Sequence, residues 1–139
     1  MSIDVFPATV LNSTLWNGQT YEEGTFAVTA TGFSGTAPSG TAWYVRVGKQ
    51  VTLTLPHIEG TSNATTFTLT GLPTLLVPAA NFFVSLMVAD NSVYQSFSGT
   101  MRFAAGSAVI TIVKDSGGAP WTASGIKVVV ETSVAYICQ

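Results

Sequence analysis

The sequence predicts an all-β protein, an antiparallel β-sandwich or jelly-roll-like fold of about nine strands. Three observations carry that prediction. Val, Thr and Ile contribute 16, 20 and 6 residues, 42 of 139, against 13 for Glu, Gln, Lys and Arg together, a balance that favours extended backbone over helix. Apolar residues alternate: Trp43, Val45 and Val47 with Tyr44 and Arg46, then Val51, Leu53 and Leu55 with Thr52 and Thr54, the period of a half-buried strand. Clusters of Gly, Pro, Ser and Asn recur between such runs, at the spacing of an antiparallel sandwich.

The elements follow in order. Residues 1–23 read as an N-terminal arm, because Phe6, Val10, Leu11, Leu15 and Trp16 are scattered among polar residues without sustained alternation. Such a segment builds no core of its own, so these five residues are candidate partner-binding anchors. A competing reading makes the arm an edge strand of its own domain, with Asn17-Gly18 as the turn. The β domain occupies 24–139, with strands over 25–31, 43–47, 51–55, 65–70, 82–89, 93–97, 100–104, 108–114 and 126–137. Gly48-Lys49 is a tight hairpin turn; 32–40, 56–63, 71–78, 90–92 and 116–120 are the other connections. No helix longer than two turns is expected. The predicted core is Phe26, Val28, Trp43, Val45, Val47, Val51, Leu53, Leu55, Phe67, Leu69, Val84, Leu86, Val88, Ile110, Ile112, Val128 and Val130.

Composition narrows the function classes. Only 12 side chains are charged, where average usage gives roughly 35, while 33 residues are Ser or Thr; the surface is expected to be a hydroxyl surface. A net charge of −2 lacks the clustered Lys and Arg that phosphate neutralisation needs, so nucleic acid is not an expected partner. No apolar run reaches 18 residues, which argues against a membrane-spanning helix. The start, Met1 to Pro7, lacks the basic and apolar regions of an export signal. The single Cys138 offers neither an internal disulfide nor a thiolate metal site, in keeping with assembly in a reducing cytoplasm.

Motifs for chemistry are sparse, and the expectation is that the protein is not an enzyme and holds no metal or cofactor. His57 and Glu59 share a strand face, yet follow Pro56 and precede Gly60-Thr61, the setting of a solvated loop. Glu22 and Glu23 point to opposite faces of a strand and form no catalytic pair. Gly48-Lys49-Gln50 lacks the remaining residues of a phosphate loop, and no G-x-S-x-G elbow occurs. Asn12-Ser13-Thr14 and Asn63-Ala64-Thr65 match the glycosylation sequon, which matters only in a secretory pathway. Among the aromatic residues, Trp43 sits at a core-type position. Trp121 follows Gly117-Gly118-Ala119-Pro120 and reads as loop-borne and exposed, so Trp121 with Asp115 is the candidate glycan contact.

Two stretches carry a family resemblance. The segment from Gly40 to Leu53, GTAWYVRVGKQVTL, and the run from Gly60 to Pro73, GTSNATTFTLTGLP, with the later Pro78, are similar to a module of bacteriophage tail-fibre and other virion surface proteins. Over residues 24–138, the resemblance implies a β-rich virion module without catalytic residues, usually at the C-terminus of longer fibres. One departure is local: the family reads G-T-K-G near its end, and here Gly125-Ile126-Lys127-Val128 extends the last strand. Another is that only about two dozen residues precede the module. A free-standing version resembles a capsid decoration (cement) or head accessory protein, binding a major capsid protein or another virion protein through the arm.

The alternative reading is a tail-fibre tip or receptor-binding module that recognises host surface glycans. On either reading the protein sits on the virion surface. It is expected to be a homo-oligomer, because the strands over 82–89 and 126–137 are apolar on both faces and few charges shield them. The choice of a trimer comes from the resemblance.

Overall fold

The computed structural model describes residues 3–6, 10–14 and 20–139. Those residues form fourteen strands and one 3-10 turn, Thr74–Leu76. In chain order the strands are β1 (Ile3–Phe6), β2 (Val10–Thr14), β3 (Thr20–Thr31), β4 (Ser39–Val47), β5 (Gln50–Leu55), β6 (Ile58–Thr61) and β7 (Thr68–Thr70). They continue with β8 (Phe82–Leu86), β9 (Val88–Asp90), β10 (Val93–Tyr94), β11 (Gly99–Phe103), β12 (Ile110–Val113), β13 (Ile126–Val129) and β14 (Thr132–Ile137). The fold is all-β and antiparallel throughout. The strand count exceeds the nine read from sequence because the runs over 82–89 and 126–137 each divide in two and because strands also form in the arm (β1, β2) and in the stretch 56–63 (β6).

Ten strands form one sheet in the order β14-β5-β4-β3-β7-β12-β11-β8, with β2 beside β3 and β1 beside β2. Its ends curl toward each other. The residues leading into β8 reach β14, with Ala79 N–H donating to the Ile137 carbonyl at 2.9 Å and Gln139 N–H to that of Val77 at 3.0 Å. The sheet is thus nearly a barrel, lined by Val28, Leu53, Leu69, Met101, Phe103 and Ile112, all buried. Phe82 stacks on Phe103 at 4.4 Å and on Tyr136 at 5.2 Å, filling the space between the two ends.

The remaining strands form a second sheet, β10-β9-β13-β6, which continues the first. Leu55 pairs with Thr132, and three residues on Ile58 pairs with Val129, so β5-β6 and β14-β13 are one ribbon in one register. Pro56 interrupts it: a residue with no N–H cannot donate to the ladder, and the ribbon bends there. The stretch 56–63, read from sequence as a loop, therefore contains a strand, and the run 126–137 is two strands. The run 82–89 divides likewise at Met87, and 93–97 is a strand only at Val93–Tyr94. The β9–β10 turn at Asn91 and Ser92 takes φ values of 50° and 67°, as a tight hairpin with right-handed strand twist requires.

At the N-terminal edge, β2 pairs with residues 20–24 of β3 and β1 pairs with β2, while β7 takes residues 29–31 of the same β3 edge. Phe6, Val10 and Leu11 thus lie on paired strands rather than in irregular chain. Leu15, Trp16 and the turn expected at Asn17-Gly18 lie outside the described residues.

The predicted core needs one correction of face. On β4 the inward residues are Ala42 and Tyr44, both buried, whereas Trp43 is 59% exposed and Val45 also faces out. Both faces of this strand are apolar, so alternation alone did not decide the register. Tyr44 resolves it: its ring meets Phe26 at 6.2 Å and its hydroxyl donates to Glu22 Oε1 at 2.5 Å, giving the buried phenol the partner it needs. Val47 and Val130 are half-buried, and Phe26 and Val84 pack on the core from a partly buried position.

The interior also holds a cation. Lys127 on β13 has no exposed surface, and its ammonium donates to the carbonyls of Gly32, Ala64 and Thr66 at 3.0, 2.7 and 2.8 Å. Phe33, Trp121 and Phe67 surround it with ring centroids at 5.3, 5.7 and 6.0 Å, a cation–π environment. Burial pushes its pKa below the ordinary lysine value, and the charge of Asp90 acts the other way. Gly32 makes room: at φ 95°, a Cβ there would lie 2.1 Å from the Thr66 carbonyl oxygen.

A second buried polar group lies nearby. Asp90 accepts from Lys114 Nζ at 2.9 Å, Thr122 N–H at 3.0 Å and the Thr122 hydroxyl at 2.8 Å. Burial raises its pKa, but the bonds from Lys114 and Thr122 outweigh that and hold the carboxyl below the usual aspartate range.

Two outcomes follow. Lys127→Met keeps the stem but orphans three buried carbonyls. It is expected to cost about 2–4 kcal/mol, some of the penalty being offset by the relieved desolvation of the charge. Urea denaturation would read this as a lower midpoint with unchanged slope, and an unchanged midpoint would contradict it. For Asp90, a depressed folded-state pKa gives stability that is present above the unfolded value of about 3.9 and lost as pH falls through the folded one. Parent stability should therefore drop below about pH 4 more steeply than that of Asp90→Asn, as urea titrations at stepped pH would measure.

Candidate functional site

The structure separates the two residues singled out for glycan contact. Trp121 is buried, 3% exposed. Its indole Nε1–H donates to the Ile112 carbonyl at 2.8 Å, its backbone N–H to Thr65 at 3.1 Å, and its ring meets Phe67 at 5.3 Å. The expectation that it is exposed is overturned: a Trp whose N–H finds a carbonyl inside the protein sits better in the core than in water. Asp115 is half-buried and closes a turn, with Oδ1 accepting from Ala119 N–H at 3.0 Å and its carbonyl accepting from Gly118 N–H at 3.2 Å.

The other polar candidates form no shared site. His57 and Glu59 are exposed and pair with each other at 3.3 Å. Glu22 and Glu23 face opposite sides of β3, each taking a tyrosine hydroxyl, from Tyr44 and Tyr21 respectively. Among the described residues no three His, Cys, Asp or Glu side chains cluster as metal ligands. The hydroxyl surface appears as cross-strand pairs, Thr54 with Ser133 at 2.8 Å and Thr31 with Thr68.

A different surface gathers polar and aromatic groups. β11 runs between β8 and β12, and alternation turns Met101 and Phe103 inward and Thr100 and Arg102 outward. Register then sets two rows across the outer face: Phe83–Arg102–Thr111, and Ser85–Thr100–Val113. Phe83 is 68% exposed, with the Arg102 guanidinium carbon 5.8 Å from its ring centroid. A hollow lies on each side of this pair. One of about 460 Å³ is bordered by Asn81, Ser107, Val109 and Thr111, and one of about 280 Å³ by Ser85, Thr100 and Ser116; Phe83 and Arg102 border both.

Arg102 is held from above by the turn at 115–118. Gly118 has φ 78°, and a Cβ on it would lie 3.0 Å from Arg102 Nη2, so the bare backbone closes over the guanidinium. Arg102 Nε is buried and has no hydrogen-bond partner, and among the described residues Arg102 forms no ion pair. Sequence reading missed this residue. The alternation Thr100-Met101-Arg102-Phe103 was visible, but its neighbours come from strands some twenty residues before and ten after, and nothing local names them.

Comparison with known proteins bears on the fold. No protein-family model matches the chain, and a search of curated proteins finds no match. Among solved structures, the chain is similar to a reovirus attachment protein, sigma1, in a crystal structure with alpha-2,3-sialyllactose. The likeness has a TM-score of 0.52 at 12% identity and covers 99% of this chain and 79% of that one. At that identity the likeness is one of fold alone.

Substitution separates the buried Trp from the exposed Phe. Trp121→Ala should cost about 3–5 kcal/mol, while Phe83→Ala should stay within about 0.5–1 kcal/mol, since its ring is mostly in water already. Thermal and urea unfolding of both variants checks this, and equal effects would contradict it.

Proposed function

We propose that this protein is a virion-surface module that attaches the particle to its host, the receptor-binding reading of the sequence. The observation that carries it is the likeness of nearly the whole chain to the fold of a viral attachment protein. Fold alone does not confer function. The outer face of β8, β11 and β12 adds a surface suited to contact: two hollows, an exposed aromatic ring and an arginine whose Nε has no acceptor among the described residues. The resemblance of 24–138 to tail-fibre modules is consistent with a bacteriophage particle and with assembly in the host cytoplasm.

A second reading, capsid decoration, is favoured by another face. Trp43 and Val45 on β4 and Ile137 on β14 are exposed, and their neighbours across the sheet include Thr52, Thr54 and Ser133, a surface suited to an uncharged partner such as a major capsid protein or a second copy of this chain. On both readings the module works as a homo-oligomer, taken here to be a trimer.

Adsorption assays distinguish the two. Purified protein at micromolar concentration is expected to block adsorption of its parent particle, and particles lacking it should remain intact but adsorb poorly. Particles that adsorb normally without it yet lose their contents on heating would replace attachment with decoration. Sedimentation of the purified protein is expected to give the mass of a trimer, and a monomer at micromolar concentration would overturn the oligomer.

A further inference from the structure

We infer that the outer face of β8, β11 and β12 binds an acidic saccharide, with a sugar carboxylate seated on Arg102. The inference deepens the attachment reading and rests on it. Its starting point is the unpaired cation. Arg102 places Nε out of solvent with no acceptor, and no Asp or Glu pairs with it among the described residues. A buried donor without a partner is costly, and native proteins rarely keep one without a reason. Arg102 lines both hollows, and an anionic oxygen entering either one meets the solvent-facing part of this side chain, Nε itself being closed to solvent.

The surroundings narrow the ligand. Guanidinium is planar with forked donors, a match for a planar carboxylate held through two parallel bonds. It lies between the Phe83 ring, 5.8 Å from its centroid, and the backbone of the turn at Gly118. The rest of the lining is uncharged: Asn81, Ser107 and Thr111 in one hollow, Ser85, Thr100 and Ser116 in the other. Side-chain amides and hydroxyls that both donate and accept suit the hydroxyls of a sugar.

Phe83 supplies the apolar component, an exposed aromatic ring between the hollows against which the C–H face of a pyranose can lie. Since Arg102 and Phe83 border both hollows, the carboxylated unit and its neighbouring unit can lie on either side of the same pair. The larger hollow, at about 460 Å³, is within the ordinary size range of ligand sites. An acidic peptide would present extended backbone donors and acceptors, and β11, which carries Arg102, is paired on both sides and offers it no open edge.

The test uses the full chain on immobilised oligosaccharides in matched pairs: one member ends in sialic acid or a hexuronic acid, and the other is desialylated or carboxyl-reduced. Binding is expected to require the carboxylate. Arg102→Gln should weaken it by about 10- to 100-fold, the scale of a lost charge-assisted hydrogen bond, and Arg102→Lys should recover only part because it restores charge without the fork. Phe83→Ala should weaken it by about 5- to 10-fold while the protein stays folded.

Equal binding to both members of each pair, or binding indifferent to both Arg102 and Phe83 substitutions, would overturn the inference. So would preference for sulfated over carboxylated chains, which assigns the site to a tetrahedral anion. If Arg102→Gln fails to fold, Phe83→Ala and Thr100→Val carry the test, read on the same pairs. Adsorption assays with the same proteins separate this inference from the reading beneath it. Protein that blocks adsorption but ignores the carboxylate leaves attachment standing without this site. Protein that binds the carboxylate through Arg102 but does not block adsorption leaves the site standing without attachment.

Discussion

The fold turns on one buried ammonium. Lys127 sits on the second sheet, and its three carbonyl partners come from the end of β3 and from the 62–67 segment that leads to β7. A single side chain thus ties three stretches distant in sequence. Taking a charge out of water is expensive, and the arrangement is stable only because every ammonium proton has an acceptor and aromatic faces fill the remaining directions. Hydrophobic packing alone would allow these loops to slide on the second sheet. Directional bonds to three carbonyls do not.

That constraint, with the nearby Asp90, also decides where contact surface is left. The loop over 115–123 is the natural candidate for a glycan loop from sequence, but Trp121 and Thr122 anchor it to the interior, through Ile112, Thr65, Asp90 and the Ser62 hydroxyl that donates to the Thr122 carbonyl at 2.5 Å. The turn at 115–118 stays on the outside, and it lies against Arg102. Anchoring the loop at Trp121 therefore brings its tip to the outer face of β11. A rigid barrel carrying a few outward side chains on paired strands is well suited to hold such a surface in one geometry.

Much of the architecture was legible from residues. The Gly48-Lys49 hairpin, the strands at 25–31 and 51–55 and the inward positions Val28, Leu53, Leu69 and Ile112 follow from alternation and turn chemistry. Where sequence reading went astray, the information lay in pairing. Trp43 and Tyr44 offer two apolar faces, and only the partners across β3 choose between them. Ile58–Thr61 hides behind Pro56 because a proline marks a break in a ladder without saying whether the chain re-enters one. Trp121 follows a Gly-rich turn, yet it is buried against Phe67 and bonded to the Ile112 and Thr65 carbonyls, partners that no local pattern names. Arg102 carries no motif at all; its meaning comes from Phe83 on one side, Thr111 on the other and Gly118 above.

The central claim is that the module meets its target through the outer face of β8, β11 and β12. Three exposed aromatic residues lie at different places on the molecule: Phe83 on β8, Trp43 on β4 and Phe97 in the loop between β10 and β11, each more than half exposed. Hydroxyl-radical footprinting with and without solubilised host envelope reads all three in one experiment. The account predicts that oxidation of Phe83 falls on binding while Trp43 and Phe97 react as before. Unchanged oxidation of Phe83, with protection at Trp43 or Phe97 instead, would contradict it.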